Sequence, residues 1–167
     1  MKLLAREPIR LRSPAHPVHP RARWWWTLRA VALVVPLLAA AVVATFVVPG
    51  AAWLRPLLPV AGLLAMAYLV VMPLWRYQVH RWEVTEQAVY AATGWVVREW
   101  RISPISRIQT VDTRRGPLEQ LLGLAAVAVT TASAHGTVYI VGLDHETAQR
   151  TADRLTEITE ATPGDAT

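Results

Sequence analysis

Two long uncharged runs fill the front of the chain, and a shorter rhythm takes over behind them. Ala30 to Leu54 holds 25 residues without a charge, mostly Ala, Val and Leu, and Pro56 to Trp75 holds another 20. About 20 apolar residues at 1.5 Å each cross the ~30 Å hydrocarbon core of a bilayer as a helix. A core helix of a soluble protein would show a shorter run with a polar face, and neither run has one. The pattern predicts two transmembrane helices, about 26–48 and 57–75, within a membrane segment 24–76. The break falls at Pro49-Gly50, with Pro56 and Pro59 close behind. Backbone hydrogen bonding is interrupted there, which a lipid-facing helix does not tolerate uncompensated. A hairpin with a short turn carrying only Arg55 follows.

From residue 77 the apolar stretches are short. Val84-Thr85 leading to Ala88–Ala91, then Trp95–Ile102, Ile105–Val111, Leu124–Thr131 and Val138–Leu143 read as strands. The spacers are turn-rich: Gly94, Ser103-Pro104, Arg115-Gly116-Pro117 and His135-Gly136. Such spacing predicts an antiparallel meander, its last two strands a hairpin around His135-Gly136. The period then changes. Asp144 suits a helix N-cap, Glu146 favours the positive end of the helix dipole, and Ala148, Ala152, Leu155 and Ile158 form one apolar stripe. The expectation is a small α+β domain over 77–160, closed by an amphipathic helix, with 161–167 as a flexible tail.

Charge refines this picture. The chain of 167 residues carries +5 overall. Residues 1–29 hold seven basic residues against Glu7, whereas from Arg76 onward nine arginines face eleven acids. The folded part therefore lacks the basic face that nucleic-acid binding requires. By the positive-inside rule, both termini are expected on the cytoplasmic side of the membrane. A cleaved signal peptide fits poorly, because its apolar region runs only about 7–15 residues. Segment 1–23, with Pro8, Pro14, Pro17 and Pro20, is expected to be an extended, mobile, basic cytoplasmic tail. Arg21, Arg23, Trp24, Trp25, Trp26 and Arg29 at the first entry, and Trp75, Arg76 and Tyr77 at the last exit, are expected to meet membrane lipids at the headgroup layer.

The run Trp82-Glu83-Val84-Thr85, then Val89-Tyr90 and Gly94, resembles the opening of the bacterial PH-like domain, also called the membrane-flanked domain. Ile105-Ser106-Arg107-Ile108-Gln109-Thr110-Val111 is similar to its central strand. Gly116 to Leu124 is similar to its short helix leading through Gly123 into the next strand, and Gly142-Leu143 before a helix agrees as well. Two transmembrane helices directly before one such domain match its YdbS-like branch. The resemblance implies a PH-like β-sandwich or partly open barrel with a C-terminal helix, in which Gly94, Ile108, Gln109 and Gly123 are structural signature positions. It also implies assembly with a protein partner bearing related PH-like domains, or with a second copy.

No candidate chemistry gathers. There is no cysteine, hence no thiolate or Cys-ligated metal. His16 and His19 lie in the Pro-rich tail without further ligands, and a metal site needs several. His80 reads as interfacial, His135 as a turn residue and His145 as a neighbour of the N-cap. Ser103, Ser106 and Ser133 lack a Gly-x-Ser-x-Gly elbow. Glu99 and Asp112 have no helpers for acid–base work, and no Gly-rich phosphate loop occurs. No catalysis, metal or cofactor is expected. Among Arg98, Arg101, Arg107, Arg114 and Arg115, the trio Arg107, Arg114 and Arg115 is the candidate patch for an anionic lipid or phospho-ligand. Glu99, Asp112 and Glu119 stand close enough to neutralise it. Trp95 and Trp100, five apart on one predicted strand, face opposite sides, so one is expected in the core and the other at a partner contact. The expected function is a non-enzymatic, membrane-anchored interaction module, with recognition of anionic headgroups as the alternative.

Overall fold

The computed structural model describes residues 14–132 and 136–161. The two apolar runs form helices α1 (Ala22–Val47) and α2 (Leu58–Val79), joined through a 3-10 turn, Ala51–Leu57. Both are long and apolar enough to cross a membrane. At the turn, Arg55 donates to the Thr45 carbonyl (3.1 Å) and lies over the Phe46 ring (4.4 Å), so its charge closes the last turn of α1. At the other end both helices run about a turn further than the apolar pattern predicts. These extra turns pack on protein, so they need no uninterrupted apolar circumference.

Only His80 separates α2 from the first long strand. One antiparallel sheet has the order β1-β2-β3-β4, from β1 (His16–Pro17), β2 (Arg81–Val84), β3 (Ala88–Gly94) and β4 (Arg98–Pro104). The other has the order β5-β6-β7, from β5 (Ile108–Arg114), β6 (Leu124–Thr131) and β7 (Thr137–Asp144). A short helix α3 (Pro117–Leu121) links β5 to β6, and α4 (His145–Ala161) packs across the three-stranded sheet. The sheets do not close into a barrel. Serine and histidine at 133 and 135, in the predicted hairpin turn, lie outside the described residues, as do residues 1–13 and 162–167.

The α4 stripe forms as its period dictates. Ala148 and Leu155 are fully buried with Val89, Val127, Val129 and Ile140, and Ile158 packs at the margin of this core. Asp144 caps the helix by accepting from the Thr147 amide (3.0 Å). Partial burial pushes the Asp144 carboxyl upward, but hydrogen bonds from Thr147 outweigh it and leave the group below its ordinary value.

Two expectations need correction. The chain from Pro14 to Arg21 is not a free tail. The Ala15 amide donates to Glu83 Oε2 (3.1 Å), His16 and Pro17 pair with Trp82 and Arg81, Val18 is buried, and the His19 amide donates to the Gly142 carbonyl (2.8 Å). A proline-rich stretch gains its order here from backbone pairing, which composition does not encode. Nor do Trp95 and Trp100 share a strand. Gly94 turns the chain at φ +125°, where an added Cβ would stand 1.9 Å from the Val97 carbonyl oxygen. Residues 95–97 therefore form the β3–β4 turn, and β4 starts only at Arg98.

Candidate functional site

The first turns of α1 carry Ala22, Trp25, Trp26 and Ala30 at helical spacing, which sets them on one stripe. That stripe is buried with Val18, Met72 and Leu124 in a second core, which joins the helical hairpin to the sheets. Leu118, Leu122 and Val141 pack at its margin, and Trp82 touches both cores. Trp26 is only 2% exposed; its ring meets the His80 ring at 4.7 Å and the Arg76 guanidinium at 5.4 Å. Trp25 and Trp26 are thus sheathed in protein and do not face headgroups, whereas Trp24 remains exposed. Arg21 reaches the Leu122 carbonyl (3.4 Å), Arg23 lies over Tyr77 (4.9 Å) and Arg29 over Trp25 (5.1 Å).

His80 is likewise buried and not interfacial. Its Nδ1 lies 2.8 Å from the Arg76 carbonyl. A carbonyl only accepts, so Nδ1 carries the hydrogen. Burial pushes the His80 pKa down from 6.5 to about 4; the carbonyl bond opposes this and the Arg76 charge adds to it. Between those two values the unfolded chain binds a proton that the folded one refuses. The stability from neutral His80 is therefore complete above pH 6.5 and is lost as pH falls towards 4. We expect the thermal midpoint of the solubilised protein to drop across this window, by at most about 1.4 kcal/mol of stability per pH unit. His80→Gln should flatten that portion of the profile; an equally steep profile in the variant would contradict it.

On another side of α2 the β3–β4 turn comes down along the helix. Trp95 packs edge-on against Tyr68 (5.5 Å), its carbonyl accepts from Trp75 Nε1 (2.9 Å), and the Arg98 guanidinium lies over the Trp75 ring (5.7 Å). Trp95 thus belongs to the junction with the hairpin. Next to it, Val96 is 80% exposed, Val97 70% and Trp100 52%. A cleft of about 240 Å³ opens between the end of α2 and the outer face of the sheet, lined by Trp75, Gln78, Arg81, Arg98 and Trp100 among others.

The arginine trio does not form one patch. Arg107 precedes β5 and Arg114 ends it, about 20 Å apart at ~3.3 Å per strand residue. Arg114 lies over Tyr139 (5.8 Å) and Arg115 donates to the Leu124 carbonyl (3.2 Å), while Arg101 pairs with Glu99 (3.1 Å). The His16 ring faces Trp82 (5.4 Å), and His19 Nδ1 accepts from the Arg21 amide (3.2 Å). Among the described residues no three His, Asp or Glu side chains converge as a metal site.

Two membrane-capable helices, antiparallel sheets of four and three strands, and a closing helix make a distinctive order of elements. Compared with known proteins, the chain matches the bacterial PH domain family over residues 28–159, taking in nearly all of it from α1 to α4. The chain belongs to the bacterial PH domain family. It is 34% identical over 115 residues to UPF0699 transmembrane protein YdbS of Bacillus subtilis (strain 168), which covers 68% of this chain and 70% of that protein. No solved structure gives a significant match. A PH-like domain in a YdbS-like transmembrane protein is therefore what this chain is built as.

Within this bacterial PH domain protein, Gly94 makes the β3–β4 turn, and Ile108 enters the core where the register with β6 slips past the exposed Gln109. Gly123 follows α3 and accepts the His145 amide on its carbonyl (3.2 Å). The junction itself escaped sequence reasoning. Its signal was present, since the Ala22, Trp25, Trp26, Ala30 spacing extends a helical stripe upstream of the apolar run.

Proposed function

We propose that this protein is a membrane-anchored interaction module without enzymatic activity, its PH-like domain on the cytoplasmic side, and that it assembles with another membrane protein through strand β4. The observation that carries this reading is the position of β4. It ends the four-stranded sheet, so its outward backbone groups are available to an added strand. Trp100 lies exposed on it, and the domain is fixed to the hairpin by a shared core instead of a long linker. The basic excess of residues 1–29 supports the cytoplasmic orientation. A partner bearing PH-like domains, or a second copy, would present matching strand edges. The headgroup alternative receives less support, because Arg107 stands at the opposite end of β5 from Arg114 and Arg115.

A photo-crosslinking residue placed at Trp100 in intact membranes should give a discrete adduct containing a PH-domain membrane protein or a second copy. The same residue at Tyr139, on the other sheet, should not. Monomer alone at both positions, with liposome binding that weakens steeply with salt and disappears in an Arg107/Arg114/Arg115 alanine variant, would reverse the ranking.

A further inference from the structure

Among the described residues of the domain outside the helices, Val96 and Val97 on the β3–β4 turn are the most exposed large apolar side chains, and the depth of the turn follows from the helix pair. Arg23 over Tyr77 fixes the register of α1 against α2, and one groove lined by Thr27, Val70 and Pro73 agrees with it. Arg29, the last charge before the apolar run, then stands about 9 Å deeper than Arg23 and level with Val71. Tyr68 lies about 5 Å deeper again. Trp95 is held against Tyr68, and Trp75 anchors its carbonyl. The turn that carries Val96 and Val97 is thereby pinned against the Tyr68–Trp75 stretch of α2, which begins about 5 Å below the level of Arg29 and ends about 6 Å above it.

Charge distribution along the turn follows the same axis. Trp95, Val96 and Val97 are uncharged, and the first cation after them, Arg98, reaches back over Trp75. Strand register puts Arg98 opposite Gly94, and both Trp100 and Arg81 opposite Ala92. Alternation sets Arg81, Arg98 and Trp100 on one face of the sheet, and they line the cleft beside the end of α2. Apolar tip below, aromatic and guanidinium groups above: that is the vertical order of acyl chains, interface and phosphates in a leaflet.

We propose that the β3–β4 turn is a membrane wedge, with Val96 and Val97 inserted among the lipids of the leaflet at which α2 ends, and Arg81 and Arg98 facing the phosphate layer. The occupant of this surface is phospholipid. Continuity with α2 decides it, since Tyr68 and Trp75 belong to the helix that crosses that leaflet. The wedge gives the domain a third attachment besides α1 and α2, and so fixes which strand edge points along the membrane plane.

The absence of cysteine makes the test direct. Val96→Cys and Val97→Cys, each carrying a nitroxide label, would be reconstituted as the full chain in vesicles of phosphatidylethanolamine and phosphatidylglycerol. Labels at Val70, exposed on α2, and at Ser106, exposed beside β5, calibrate the lipid and water extremes. The expected result at positions 96 and 97 is faster collision with oxygen than with a water-soluble nickel chelate, by several-fold, as at position 70. Chelate accessibility like that of position 106 would overturn the proposal. Shielding from both reagents would overturn it too, because it would mean that protein covers the turn.

Discussion

Replacing Gly142 by valine is expected to release the N-terminal segment from the sheet and to cost about 2–5 kcal/mol. Two effects add. Gly142 has φ +77°, a left-handed conformation that costs a residue with a Cβ roughly 1–2 kcal/mol. Its missing Cβ would also stand 2.9 Å from the Ala22 Cβ and 3.5 Å from that of Val18, so a side chain overpacks the seat of α1 at about 1–3 kcal/mol more. For a chain of this size the thermal midpoint should fall on the order of 5–15 °C. Exchange of the His19 amide, which donates to the Gly142 carbonyl, should accelerate in parallel. Gly62→Val, on α2 where nothing lies within 4 Å, serves as the control. Unchanged melting and unchanged His19 exchange in Gly142→Val would show that the segment is not seated there.

Trp26→Ala should be of similar size, about 3–5 kcal/mol, because a buried indole is lost from a packed site. The informative readout is His80. Without the indole at 4.7 Å, water reaches the imidazole, and the burial that holds its pKa near 4 is relieved. The His80 ring resonances should then titrate closer to 6.5, while Trp26→Phe, which keeps an aromatic face over the ring, should stay near the low value. A His80 titration unmoved by Trp26→Ala would mean that other groups bury it.

What the sequence disclosed, it disclosed through repetition. The two spans follow from long uncharged runs, and α4 follows from a stripe at Ala148, Leu155 and Ile158 behind a capping Asp144; each signal recurs over many residues. Strands β3 to β7 were legible for the same reason, apart from the start of β4 and the start of β5, which begins at Ile108 because Ile105–Arg107 forms a 3-10 turn. The losses fall where one residue decides. Gly94 converts Trp95-Val96-Val97 from strand to turn by its backbone geometry alone. Pro14 to His19 owes its order to amide and carbonyl partners on β2 and β7, which leave no imprint in side-chain pattern. Trp25 and Trp26 next to an apolar run look like headgroup anchors, and only the position of the sheets shows which side of α1 is covered. The candidate site was half visible: Trp95, Trp100, Trp75 and Arg76 stood out by type, but the sequence grouped the arginines by proximity along the chain, and an extended strand then drew them apart.

The seating of α1 also orders events in time. Arg21 reaches the Leu122 carbonyl across 101 residues of chain, and His19 finds Gly142 on the last strand. During synthesis at ~5–20 residues per second, on the order of 5–20 s pass between emergence of the first partner and of the second. By then both apolar helices have been made, while the segment before them is still without its seat on β7. Completion of β7 is what latches the segment before α1 onto the three-stranded sheet. A ribosome stalled before residue 142 would hold a complete helical hairpin with that latch open.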